Sequence, residues 1–241
     1  MSTPADNTHR SDHEHVAPVR PGWPEVVVGL LTMVAAILVL PFFGPWGLDL
    51  DAVAFGLVVA AWSGVGGLAG FTAAALIRLR SFAPFGVRRT TWRWMLAGVV
   101  GGLVALLVKA AVTVAVTTLT DFGDTNPQGM YYDAAGGGVV ALALTFLFLA
   151  VLTPVGEEFL FRGVLTNALL RYGPVVGVVG SSVVFALFHG INIILPAALV
   201  VGVIAAELMR RSGSIWPAVA VHAVNNMALP LLVLFTGATG G

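Results

Sequence analysis

The sequence predicts an all-α fold, a polytopic transmembrane helical bundle of about seven spans, and three observations predict it. The chain of 241 residues is 58% hydrophobic and only 10% charged, with a mean hydropathy of +0.93. A soluble domain of this size cannot bury so much apolar surface, and several runs exceed the roughly eighteen apolar residues that cross a bilayer as helix. Those runs are rich in Leu, Val and Ala without polar alternation. Backbone in lipid has to satisfy its own hydrogen bonds, so they read as helices rather than barrel strands. The 29 glycines agree, because small residues let membrane helices approach closely. Gly66 and Gly70, and Gly98 and Gly102, stand at small-xxx-small spacing.

Residues 1–24 are polar and lack the apolar core of a signal peptide, which predicts a disordered cytoplasmic tail. His9, His13 and His15 lie in it with nothing to fix a ligand geometry, so they read as solvated. Residues 25–241 form the transmembrane domain. Its apolar runs are Val26–Phe43, Val53–Ile77, Met95–Val116, Gly138 to about Arg171, Val175–Phe188, Ile193–Met209 and Ile215–Phe235.

Numbering the loops alternately puts Arg10, Arg20, Arg78, Arg80, Arg88, Arg89, Arg93, Arg171, Arg210 and Arg211 on one side. Asp49, Asp51, Asp121, Asp124 and Asp133 fall on the other, with no arginine. The positive-inside rule then places the amino terminus in the cytoplasm and the carboxyl terminus outside, in a multi-pass cell-membrane protein. Lys109 lies toward the outer end of its span, where it can snorkel. Glu207 precedes Arg211 by four residues and reads as an exposed helix pair.

Composition also excludes. With no cysteine, there is no disulfide framework, thiol nucleophile or thiolate metal site. Net charge is zero and no basic stripe is interleaved with aromatics, so nucleic acid is not an expected partner. Membrane lipid is.

What remains is a small polar set inside the apolar spans: Glu157, Glu158, Arg162, His189, His222, Asn225 and Asn226. Ionisable groups at membrane depth are costly and tend to face a bundle interior or a water-filled cavity. The turn Arg171-Tyr172-Gly173-Pro174 joins two helices. Glu157 lies roughly 21 Å back from Arg171 and His189 roughly 22 Å forward from Pro174, so in an antiparallel hairpin they meet at one level. From Ser214, His222 and Asn226 count roughly 12 and 18 Å in. That puts His222 roughly 9 Å shallower than Glu157, an offset that a tilted last helix would erase.

The run from Gly138 to Arg171 is too long for a straight helix in a roughly 30 Å core; either Pro154 and Gly156 allow a kink just before the glutamates, or the hairpin projects into the cytoplasm. Glu158 and Arg162, four apart, share a helix face and can pair, leaving Glu157 as the free base. His222 and Asn226, again four apart, project into one space, and Phe185 stands one turn before His189, placed to wall the site.

A glutamate with a histidine can bind and deprotonate water, and a second histidine with an asparagine can donate to an oxyanion. Together these describe water-mediated amide hydrolysis. The same groups, Glu157, His189 and His222, are also the candidate ligands for a divalent metal such as zinc, although the chain has no HExxH helix.

Glu157-Glu158-x-x-x-Arg162, Phe185-x-x-x-His189 and His222-x-x-x-Asn226, with the run 212–226 around the last, resemble the CPBP (Abi) family in order and spacing. Its members are intramembrane proteases related to type II CAAX prenyl endopeptidases and lysostaphin-resistance-protein-A-like proteins. The resemblance covers about 140–230, the protease-like core. It implies that Glu157 is the general base and that His189 helps position the water. It further implies that His222 and Asn226 stabilise the oxyanion, with Glu158 and Arg162 in support.

The expected activity is therefore that of an intramembrane endopeptidase acting on a peptide or protein substrate, by a metal-free route. The alternative is a non-catalytic scaffold or bacteriocin-immunity-type protein of the same fold. Prenylated CAAX proteins, bacteriocin leader peptides and other membrane peptides all remain candidate substrates.

Overall fold

A computed structural model describes residues 19–43, 48–119 and 127–238. Among these residues every regular element is helical. They are α1 (Trp23–Val39, prolonged by a 3-10 turn over Leu40–Phe43), α2 (Ala52–Ile77), α3 (Trp92–Leu119) and the short α4 (Gly129–Gly136). One continuous helical run follows as α5 (Val139–Tyr172), then α6 (Val176–Phe188), α7 (Ile194–Ser212) and α8 (Trp216–Thr236). Helices α1, α2, α3, α5 and α8 are long and apolar enough to cross a membrane. With α6 and α7 they make up the seven expected helices. Their outer faces carry bare aliphatic side chains such as Leu107, Val139 and Val140, as contact with lipid requires.

The sequence reading placed no helix between Val116 and Gly138, where α4 now stands. Eight residues bracketed by glycine are too few for a periodicity to show. α4 packs instead by close approach to α2: a Cβ at Gly56 would lie 2.0 Å from the Met130 carbonyl oxygen.

Basic residues gather at one end of the bundle. Arg78 donates to Glu25 through Nε at 2.7 Å, and Arg171 donates through Nη2 to the Pro21 carbonyl. Ser214 Oγ–H reaches the Arg88 carbonyl at 2.8 Å, and the Ile215 amide reaches Gly86 at 3.0 Å. The start of α1, the end of α2, the start of α3, the α5–α6 turn and the α7–α8 turn therefore lie together, as the loop count required. Arg10, Asp121, Asp124 and the tail through residue 18, with His9, His13 and His15, lie outside the described residues.

The fold begins earlier than the expected tail boundary. Pro21 and Gly22 are buried, and Glu25, with no exposed surface, accepts from the Gly22 amide at 2.6 Å. Glu207 pairs with Arg210 as well as with Arg211.

Glycine sets the helix crossings. A Cβ at Gly98 would lie 2.5 Å from the Pro217 carbonyl of α8, and one at Gly70 would lie 2.6 Å from that of Gly29 in α1. As close as the contact of α2 with α4 is its crossing with α5. There, a Cβ at Gly156 would lie 2.0 Å from the Gly64 oxygen, and one at Gly67 would lie 2.4 Å from the Gly156 carbonyl carbon. Thr153 donates across this contact to the Ala60 carbonyl at 2.7 Å.

α5 changes helix type along its length. π-Helical turns over Phe148–Leu152 and Phe159–Thr166 flank an α-helical segment, Thr153–Glu158. Pro154 supplies no N–H, and its ring clashes with the carbonyl four residues back. The wider turn placed just ahead of it moves that carbonyl out of the way, and π turns inside helices often accompany functional sites.

Candidate active site

The α2–α5 crossing carries the first glutamate. Glu157 follows Gly156 directly, so its carboxylate emerges where the two backbones touch. Its Oε1 accepts a hydrogen bond of 2.5 Å from the Ser63 hydroxyl of α2. Its Oε2 has no hydrogen-bond partner among the described residues and lies 3.9 Å from His222 Nε2 of α8.

Glu158 points into the protein and is wholly buried. It lies 3.0 Å from Arg162 Nε. That nitrogen forms no aligned hydrogen bond, so the contact is chiefly Coulombic. The other carboxylate oxygen sits 2.9 Å from His222 Nδ1. Arg162 also donates to the Gly202 carbonyl of α7 at 3.3 Å, and its guanidinium lies 4.3 Å from the centre of the Phe185 ring. An aromatic face in a dry setting stabilises such a cation. The expected pairing of Arg162 with Glu158 is present, and Glu158 additionally grips His222.

Proton positions on the imidazoles follow from their partners. A carboxylate paired with arginine accepts, so His222 Nδ1 carries a hydrogen, and in the neutral form of the ring the lone pair is at Nε2, toward Glu157. His189 Nδ1 faces the Phe185 carbonyl at 3.0 Å and must donate, so its neutral form likewise has the lone pair at Nε2. Asn226 gives one amide hydrogen to the Leu149 carbonyl at 3.0 Å and accepts from Asn225 through Oδ1. Its second amide hydrogen is available.

Glu157, His189, His222 and Asn226 line one cavity of about 260 Å³ among α1, α2, α4, α5, α6 and α8. Glu158 and Arg162 stand behind it. Phe185, expected as a wall, is also behind: it is buried and packs edge-on against Phe161, His189 and His222. Phe161 and Phe188 line the cavity in its place.

The 9 Å offset between His222 and Glu157 is absent. Depth along α8 was counted from Ser214 as though it lay level with exposed Arg171. Ser214 and Ile215 have no exposed surface, so α8 starts inside the protein and carries His222 to the glutamates.

Further polar residues that no motif announced line the cavity, among them Ser63, Gln128, Tyr131 and Thr153. Burial, and then the charge of Glu157, push the phenol of Tyr131 in α4 above the usual tyrosine range, so it stays protonated.

Among the described residues no three His, Asp or Glu side chains converge to hold an ion. Glu158 and His222 Nδ1 occupy each other, and His189 lies outside ion-pair distance of both glutamates. Glu157, His189 and His222 thus share a cavity without forming a ligand triad.

Residues 139–228 match the model of a family described as type II CAAX prenyl endopeptidase Rce1-like. That segment is similar to the Rce1-like family. It runs from the start of α5 into α8 and contains all seven residues that the motifs name. Ser63 and Tyr131 lie outside the Rce1-like segment but reach its cavity. No curated protein and no solved structure matches the chain.

Proposed function

We propose that this protein is an intramembrane endopeptidase. It hydrolyses a peptide bond in the membrane-proximal or carboxyl-terminal part of a protein or peptide, using water activated by Glu157 without a metal ion. The observation that carries the reading is the 3.9 Å gap between Glu157 Oε2 and His222 Nε2, inside a cavity of an Rce1-like segment. Two acceptors that face each other repel unless a hydrogen stands between them. A water about 2.8 Å from each can donate one hydrogen to each.

Arg162 and Glu158 hold the His222 ring in the tautomer this requires, as a base is oriented by a third group in hydrolytic triads. Water oxygen attacks the scissile carbonyl carbon while Glu157 takes its proton. The developing oxyanion is met by the second amide hydrogen of Asn226. Protonated Glu157 then delivers its proton to the leaving nitrogen as the C–N bond breaks, giving a carboxylic acid and an amine. His189, with a free Nε2 on the same cavity, assists in ordering the water or the leaving group. By the distribution of arginine, the basic end faces the cytoplasm.

The test is a comparison of membrane peptides in cells that carry the wild-type protein or Glu157→Ala. Fragments that accumulate only with the wild type identify the substrate and support the reading. Identical peptide populations, with both proteins present at equal levels, refute it.

A further inference from the structure

We infer that Ser63 is a positioning residue for the Glu157 carboxylate, so that α2, outside the Rce1-like segment, completes the active site. This inference rests on the proposed role of Glu157 as the base.

Hydroxyls inside apolar helices usually fold back on their own helix and donate to a carbonyl one turn earlier. In this chain Thr32, Thr145, Ser181 and Ser182 all do so, reaching Val28, Ala141, Gly177 and Val178. Ser63 instead gives its single hydrogen to Glu157 Oε1 at 2.5 Å. A carboxylate only accepts, so the direction of this bond is settled.

The consequence lies at the other oxygen. Glu157 is 5% exposed and borders a cavity of about 260 Å³. Ser63 donates to that carboxylate from a neighbouring helix, and Oε2 has no hydrogen-bond partner among the described residues. Holding Oε1 fixes the plane of the group and leaves Oε2 facing His222 Nε2, where the water is to be deprotonated. Without the tether the carboxylate samples other rotamers, and the productive geometry becomes one of several. Misplacing a catalytic group by about 1 Å lowers a rate on the order of 100-fold.

The reach of so short a side chain follows from the crossing beside it. Gly64 and Gly67 bring the α2 backbone against Leu152 and Gly156. Ser63 therefore meets Glu157 across a helix interface with no room for a longer intermediary.

The experiment uses full-length protein reconstituted in liposomes with a peptide substrate identified as above. Ser63→Ala, Ser63→Thr and Glu157→Gln are compared with the wild type by kcat, KM and thermal unfolding midpoint. Ser63→Ala is expected to lower kcat roughly 10- to 100-fold with KM and the unfolding midpoint little changed. Ser63→Thr keeps the hydroxyl and is expected to recover most of kcat. Equal kcat in the Ala and Thr variants overturns the inference, as does an Ala variant that matches the wild type while Glu157→Gln is inactive. An active Glu157→Gln overturns the prior reading of Glu157 instead. A purely structural serine would lower the unfolding midpoint and leave kcat of the folded protein intact, which also counts against the inference.

Discussion

Arg162→Ala should cost both stability and activity, and the size of the first can be worked from the site. Arg162 and Glu158 are 1% and 0% exposed, and their charged atoms lie 3.0 Å apart. At that distance and an effective dielectric of about 20, the gross attraction is about 5–6 kcal/mol. Desolvation of both groups offsets much of it, so the pair itself contributes little net. Removing only the arginine is different. Glu158 is then left buried with a single partner, the His222 Nδ1–H at 2.9 Å. Breaking a buried pair from one side costs about 3–5 kcal/mol, a large share of a total stability on the order of 5–15 kcal/mol.

The double variant Glu158→Gln/Arg162→Met removes both charges at nearly constant volume and should recover most of that loss, because replacing a whole buried pair is close to neutral. It should remain inactive, since His222 loses the carboxylate that orients it. Denaturant unfolding of the purified protein in detergent reads both differences from the wild type, and the single variants Glu158→Gln and Arg162→Met complete a cycle whose non-additive part is the coupling energy. A single variant as stable as the wild type, or a double variant no more stable than the single, refutes the pairing argument.

The same geometry makes three further predictions. Gly156→Ala should abolish folding or sharply reduce expression, because its Cβ would lie 2.0 Å from the Gly64 carbonyl oxygen and backbone cannot yield there; Gly136→Ala, where a Cβ meets nothing within 4 Å, is the control. Labelling of terminal tags in intact cells should find the amino terminus cytoplasmic and the carboxyl terminus external, and both tags on one side would remove the seven-span count. Strong chelators should leave turnover unchanged, and elemental analysis should find no stoichiometric divalent ion. Activity that falls on chelation and returns with zinc contradicts the metal-free route.

Much of this was legible in the sequence, for reasons that differ by residue. Seven long apolar runs and the one-sided distribution of arginine leave little choice of topology. Glu158 and Arg162 are legible as a pair because four residues bring them to one face. Ser63, Tyr131 and Glu25 were not. Each is a single polar residue in or beside an apolar helix, with no partner at helical spacing, and it acquires meaning only from a neighbour far along the chain. The depth of His222 was misjudged because apolarity marks where a helix lies in lipid but not where a turn is sunk beneath other helices. Ser214 and Ile215 are such a turn. The two π-helical stretches of α5 were not legible either, since hydropathy does not register the winding of a helix.

The central claim is that the Glu157 carboxylate is the base. Glu157→Gln keeps the size of the side chain and its acceptor oxygen for Ser63, but cannot take a proton from water. The decisive measurement is the turnover of a defined peptide substrate by purified Glu157→Gln protein in liposomes, at a confirmed wild-type unfolding midpoint. No cleavage above the background without enzyme is expected. Sustained turnover by the folded variant would contradict the claim.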